Sequence, residues 1–285
     1  MNWMSNLNKA LDYIENNLDN DIAINKIASI CLCSEYNIQR IFSVIAGVTI
    51  GEYIRKRRLT KAGTDLREKE LKVLDLALIY GYESAEAFTK AFKAFHGITP
   101  TQARNPGNQL KVYQKLHFSM IIRGGHEMQT KIVEQEAFKV IGIKRTYDSM
   151  EEAMDKIPSF WNEFAQSNDM QLLETKMNGD IKGLIGLSNP LGDGSKFDYY
   201  ICVNSTEKPS ANFVELTVPK AKWMVFEAKG KIPDAVQETT KKIFQEFFPN
   251  SDYEYDNKPE FELYPAGNPM SDSYITEIWV PVKNI

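Results

Sequence analysis

Three cysteines and three histidines among 285 residues leave little room for metal or disulfide chemistry. Cys31, Cys33 and Cys202 are odd in number, and Cys-x-Cys with so few histidines makes a poor zinc site, so neither a disulfide framework nor a metal centre is expected. No apolar run approaches the ~20 residues that span a bilayer, and the opening MNWMSNLNKALDYIENN lacks the apolar stretch of a secretory signal. A reducing, cytoplasmic setting without membrane contact is the expectation. Glycine (16) and proline (12) are too sparse for a low-complexity chain, while 43% hydrophobic residues supply a real core. The length favours two ordinary domains over one large one.

The two parts of the chain differ modestly in charge balance. Residues 1–127 hold 17 basic against 13 acidic residues, whereas 128–285 hold 17 against 25. Up to Gly107 the excess is only 14 against 12, so net charge says little about nucleic acid, and the acidic remainder suits cationic partners better.

Hydrophobic periodicity divides the chain. From Ser5 to about residue 104 apolar residues recur three and four apart, beginning with the stripe Leu7, Leu11, Ile14 and Leu18. Helices are expected near 25–31, 35–45, 52–68, 72–80, 85–95 and 100–104, cut by Ser, Gly and Pro. Alternation follows Pro106–Gly107: a hairpin over 117–135 with a turn at Gly124–Gly125, then strands near 138–146, 182–187, 197–203, 212–218, 222–229, 260–264 and 273–282. Helices are expected near 151–167 and 233–248. The order is strand–strand–helix–strand–strand performed twice, and AFKVIGIK (137–144) echoes AKWMVFEA (221–228), which indicates an α+β duplication. The domains expected are an all-α one over 1–107, a linker over 108–116 and an α+β one over 117–285.

A second repeat lies inside the helical part. SEYNIQRIF (34–42) aligns with SAEAFTKAF (84–92) at an offset of 50, and Gly47-Val48-Thr49 falls on Gly97-Ile98-Thr99. Each unit is a short apolar helix, a turn and a second helix with polar outward positions, the arrangement that braces one helix while the other enters a major groove. The 52–68 helix would separate the two units by ~25 Å. That length, with the flanking helices, lets a monomer reach two adjacent grooves.

The stretches IASICLCSEYNIQRIF (27–42), GVTIGEYIRKRRLTKA (47–62) and LALIYGYESAEAFTKAFKAFHGITP (76–100) resemble the DNA-binding domain of AraC/XylS-type transcription regulators, especially the multidrug and stress-response branch. The resemblance implies a regulator that binds double-stranded DNA, with RNA polymerase a further candidate partner. It places Tyr36, Gln39 and Arg40 on the first reading helix and Ala85, Glu86, Ala87 and Lys90 on the second. Arg40 suits guanine and Gln39 adenine, each worth ~1–3 kcal/mol of discrimination. Leu32 stands where the first turn usually has glycine, so a left-handed backbone there would cost ~1 kcal/mol. Ala103 replaces a usual aromatic. The basic run Arg55, Lys56, Arg57, Arg58 and Lys61 lies in a helix that spreads it around the axis, so a solvated face with one or two phosphate contacts is expected.

FKVIGIKRTY (138–147), SFWNEF (159–164), FDYYICV (197–203), FEAKGKIPDAVQETTKKIFQEF (226–247), FELYP (261–265) and ITEIWVPV (275–282) resemble GyrI-like effector-binding domains. That resemblance implies a groove between two α+β repeats that takes a small molecule. It sets Glu277 at the floor of an aromatic cavity, where a carboxylate attracts a lipophilic organic cation. Ring faces add to that attraction, and Trp161, Tyr200, Trp223, Phe226, Tyr264 and Trp279 are the candidate walls. The alternative is a GyrI-like hydrolase fused to a DNA reader. No G-x-S-x-G and no metal cluster support catalysis, and His96, His117 and His126 lie outside the expected cavity strands, so a sensor without catalytic residues or cofactor is the reading carried forward.

Overall fold

The computed structural model describes residues 3–119, 128–192, 194–210 and 212–284. Its contacts divide the chain into two compact units that are interleaved in sequence: Met1–Leu32 with Val48–Ile121, and Cys33–Gly47 with Ile122–Ile285.

In the first unit the stripe Leu7, Leu11, Ile14 and Leu18 is buried along α1 (Trp3–Asn16) and just beyond it. Then come α2 (Ile24–Cys31), α4 (Ile50–Glu68), α5 (Val73–Ile79), α6 (Ala85–His96) and α7 (Pro100–Ala103), with α3 (Glu35–Ala46) belonging to the second unit. The fifty-residue repeat is written in the caps. Ser34 and Ser84 accept from the backbone three residues on, Gly47 and Gly97 close their helices at φ 69° and 85°, and Thr49 and Thr99 start the next. Leu32 does adopt the left-handed conformation, φ 58° and ψ 39°, with its side chain 63% exposed. The core beneath α4 joins Leu59, Ala62 and Leu66 to Leu76, Ala77, Tyr80, Phe88, Phe92 and Ala103. Ala103 is fully buried there.

Residues 108–119, read from sequence partly as a linker, are pinned along this unit. Tyr113 N donates to Thr60 Oγ1 at 3.0 Å, Leu116 N to Tyr53 Oη at 3.3 Å, and Phe118 exchanges two hydrogen bonds with the Asn8 amide. Residues 117–119 are not strand, and the rest of the expected hairpin arm with its glycine turn, together with His126, lies outside the described residues.

In the second unit β1 (Thr130–Gln135), β2 (Phe138–Tyr147), α8 (Met150–Ala165), β3 (Leu184–Leu191) and β4 (Lys196–Asn204) form the first repeat. The second holds β5 (Val214–Val218), β6 (Ala221–Lys229), α10 (Asp234–Lys242), β8 (Glu260–Tyr264) and β9 (Ile275–Asn284). The sheet runs β1-β6-β9-β8-β3-β4-β2-β5, antiparallel throughout. The first strand of each repeat pairs with the second strand of the other, β1 with β6 and β5 with β2, so neither repeat closes its sheet alone. The seam is β3 against β8, pairing Gly186 with Glu262 and Ser188 with Glu260. Two elements escaped the sequence: α9 (Asn168–Thr175), whose NDMQLLET buries only Leu173, and β7 (Tyr253–Tyr255), three residues paired to the end of β9.

Because side chains alternate along a strand, the sheet has two distinct faces. One carries Val140, Ile185, Leu187, Tyr200, Trp223, Val225, Phe261 and Trp279 in a core built almost wholly from strands. The other carries the helices: α8 covers Ile141, Tyr199 and Ile201, and the α10 segment, continued by a π-helical turn Ile243–Phe247, covers Phe226, Ile278 and Val280. Between the two helices the β3/β8 seam is left as a groove.

Candidate functional site

The groove floor is set by strand alternation. Glu260 and Glu262 are two apart on β8 and therefore share a face; on β3 their partners are Ser188 and Gly186. Glycine at 186 is required, because a Cβ there would lie 2.4 Å from the Tyr199 hydroxyl that crosses β3 from β4. Trp161 on α8 donates Nε1–H to that hydroxyl at 2.9 Å, and its ring meets Tyr264 edge-on at 5.3 Å. Tyr264 in turn donates to Glu262 Oε2 at 2.7 Å. Burial, with Glu260 alongside, pushes the Glu262 carboxyl above the usual carboxylate range despite Arg40 and the Tyr264 hydroxyl, which pull it down.

Helix α3 packs against α8 and α10 and fills part of this groove. Tyr36 is buried, donates its hydroxyl to Glu260 Oε1 at 3.1 Å and sets its ring edge-on to Phe197 at 5.1 Å. Arg40, one turn on, is ion-paired to the same Glu260. Burial opposes the Arg40 charge, and the Glu260 carboxylate, followed by Tyr36, Tyr255 and Glu262, overrides it, holding the guanidinium above even its ordinary value. Burial, followed by the Glu260 charge, drives the Tyr36 phenol the same way, so it stays a donor. Asn37 donates to Asn257, while the Gln39 side chain turns back to the Glu35 carbonyl at 3.3 Å. A cavity of about 140 Å³ remains, lined among others by Tyr36, Arg40, Tyr199, Glu260, Glu262 and Trp279.

In the first unit α6 buries Phe88 and Phe92 and leaves Glu86, Ala87 and Lys90 exposed, with Ala85 half-buried. The basic run on α4 is largely spent internally. Arg57 grips Glu15 with Nε and a terminal nitrogen at 2.9 and 2.8 Å, Arg58 donates to the carbonyls of Leu18 and Asn20, and Lys56 pairs with Glu52 at 2.7 Å.

Comparison with known proteins agrees with both halves of this geometry. Residues 128–283 match the GyrI-like small molecule binding domain, and residues 27–106 match a helix-turn-helix domain. A probable transcription factor of Proteus vulgaris, PqrA, is 41% identical over 103 residues, covering 35% of this chain and 84% of its own. The activator AarP of Providencia stuartii is 39% identical over 98 residues, covering 34% of this chain and 73% of its own. Among solved structures SAV2435 bound to tetraphenylphosphonium superposes with a TM-score of 0.51 at 35% identity, over 55% of this chain and 94% of that one. The chain belongs to the AraC-type regulators and carries a GyrI-like domain.

This AraC-type protein is thus a DNA-binding transcriptional regulator with a small-molecule binding domain. Among the described residues no helix is long and apolar enough to cross a membrane. Its GyrI-like half distributes the expected effector residues over three places. Tyr200, Trp223 and Trp279 lie in the strand-built core, where Trp279 stacks on Phe261 at 5.0 Å. Phe226 packs on Phe247 beneath the α10 segment. Trp161 and Tyr264 stand together over the groove, and of all the expected effector residues only Trp279 lines the cavity. Glu277 is also elsewhere: it shares the strand-core face with Trp279, accepts that indole's N–H at 2.8 Å and is ion-paired to Lys131. The cavity carboxylates are instead Glu260 and Glu262. Their sequence signal was the alternation Glu260-Phe261-Glu262 at the start of the strand expected near 260–264, two acids on one face of a strand whose neighbours are apolar.

Proposed function

We propose that this regulator senses a lipophilic organic cation in the β3/β8 groove, with Glu260 and Glu262 as counter-charges and Tyr199, Trp161 and Tyr264 as aromatic support. The observation that carries the reading is electrostatic: the buried Glu260 and the half-buried Glu262 share one face and answer to a single guanidinium, that of Arg40, so a second, delocalised cation finds a carboxyl to meet without the desolvation cost of a small ion. SAV2435, which holds tetraphenylphosphonium, supports the same ligand class. Ligand occupancy then alters transcription through the helices that read DNA, with Ala85, Glu86 and Lys90 on α6 and Tyr36, Gln39 and Arg40 on α3 as the reading residues. Calorimetric titration of the full chain with tetraphenylphosphonium tests the proposal against neutral triphenylphosphine oxide. Binding of the cation alone supports it; equal binding of both rejects the counter-charge.

A further inference from the structure

Of the three side chains that sequence assigns to reading DNA through α3, the groove has taken in two, Tyr36 and Arg40, and with them Asn37, while Gln39 turns back to its own helix. Tyr36 is 1% exposed and Asn37 3%, and the Arg40 side chain is 19% exposed with its charge held by Glu260. The backbone of α3 is held as closely: a Cβ on Gly194, in the β3–β4 turn at φ 87°, would stand 3.0 Å from Tyr36 N, so the turn lies in tight contact with the helix start. The helix supplies a cation and an aromatic ring to the β8 carboxylates, which are the two features the groove asks of an effector.

We infer that α3 is an internal ligand of the effector groove, and that an incoming aromatic cation displaces Tyr36 and Arg40 from Glu260 and so releases the first reading helix for DNA. The inference rests on the cation-sensing reading above. Side chains cannot reach base edges in a major groove while buried against β8, so the docked state and the first DNA-reading state exclude one another. By linkage, whatever factor an effector adds to DNA affinity through this release, DNA adds to effector affinity. The ligand class is narrowed as well: a flat delocalised cation such as an aryl amidinium matches the guanidinium it replaces and can donate two N–H groups to one carboxylate.

The test uses the full chain with benzamidine as the probe and neutral benzamide as its control. Hydrogen exchange of the amides of residues 38–46 should accelerate at least tenfold with saturating benzamidine and not with benzamide. Glu260→Gln, which leaves α3 untouched, should accelerate the same amides without any probe. A second variant guards against misfolding of the first. Asn37→Cys with Asn257→Cys, in a chain with Cys31, Cys33 and Cys202 replaced by Ala, should trap α3 when oxidised. The trapped chain should lose at least tenfold in affinity for a duplex selected by the wild-type chain with benzamidine present, and recover it on reduction. If the probe binds but exchange is unchanged and the trapped chain keeps its DNA affinity, the internal-ligand inference is overturned and the sensing reading stands. If benzamidine fails to bind, displacement of α3 by an aryl amidinium is overturned even where Glu260→Gln frees the same amides, and the sensing reading is then decided by the tetraphenylphosphonium titration alone.

Discussion

Lys131 closes on Glu277 with Nζ 2.6 Å from Oε1. The ammonium also stands over the Trp279 ring, so this carboxylate already has a cation and an indole donor of its own. Cation binding in the groove is therefore expected to separate two classes of variant. Glu262→Gln should weaken tetraphenylphosphonium binding by about tenfold or more, equivalent to ~1.4 kcal/mol, whereas Glu277→Gln should change it less than threefold. Calorimetry on both variants decides, and a larger loss in Glu277→Gln would return the counter-charge to β9.

Glu277 shows where sequence reading stops. Its apolar neighbours Ile275 and Trp279 were legible, and so was the cost of a carboxylate there, but its partner sits on β1, and the β1–β6–β9 order depends on a strand exchange between repeats that no local pattern carries. Glu262 was quoted inside a matching motif and Glu260 fell at the start of the strand expected near 260–264, neither singled out, because only the β3/β8 pairing shows that they face a groove. Helices α2 to α7 and their caps were legible since Ser34, Gly47, Thr49 and their counterparts at offset 50 act locally. The lodging of α3 among strands more than 200 residues away was not, because the contacts that place it are long-range.

Leu32 supplies a stability prediction with a backbone cause. Its left-handed conformation costs ~1–2 kcal/mol for an L side chain, and an exposed side chain returns little of that. Leu32→Gly should stabilise by up to about 1 kcal/mol after the extra chain entropy of glycine is subtracted. Urea melts would show the gain, and a loss would mean that the exposed leucine has a partner in solution.

His96 gives the helical unit a pH dependence. Burial holds the imidazole below its ordinary value, while Nε2 lies 3.0 Å from the Leu59 carbonyl and the ring rests 4.2 Å from Phe92. The folded state favours neutral histidine, so the unfolded chain takes up a proton first as pH falls through ~6.5. Unfolding is thus favoured below that point, and stability rises again as pH returns above it. The urea midpoint should drop between about pH 7 and pH 5.5, and His96→Phe should flatten the slope in that window. Glu15, whose carboxyl is held down against burial by Arg57 and Tyr53, contributes its own loss only at more acidic pH.

The basic residues of the helical unit divide into those that hold it together and those that face outward, and two alanine variants should separate the roles. Arg57 makes a two-point pair with Glu15, which Tyr53 also contacts at 2.7 Å, and all three side chains are mostly buried. Arg57→Ala leaves Glu15 desolvated without its cation, a loss of about 1–3 kcal/mol of stability, while DNA affinity per folded molecule stays the same. Lys90 is exposed on α6, beyond the buried Phe88. Lys90→Ala should leave the urea midpoint unchanged, weaken DNA binding and reduce the slope of log affinity against log salt by about one. Melts and salt-series gel shifts on the two proteins form a crossed test. If Arg57→Ala flattens the salt slope at unchanged stability, the α4 run contacts phosphate and the internal role assigned to Arg57 is wrong.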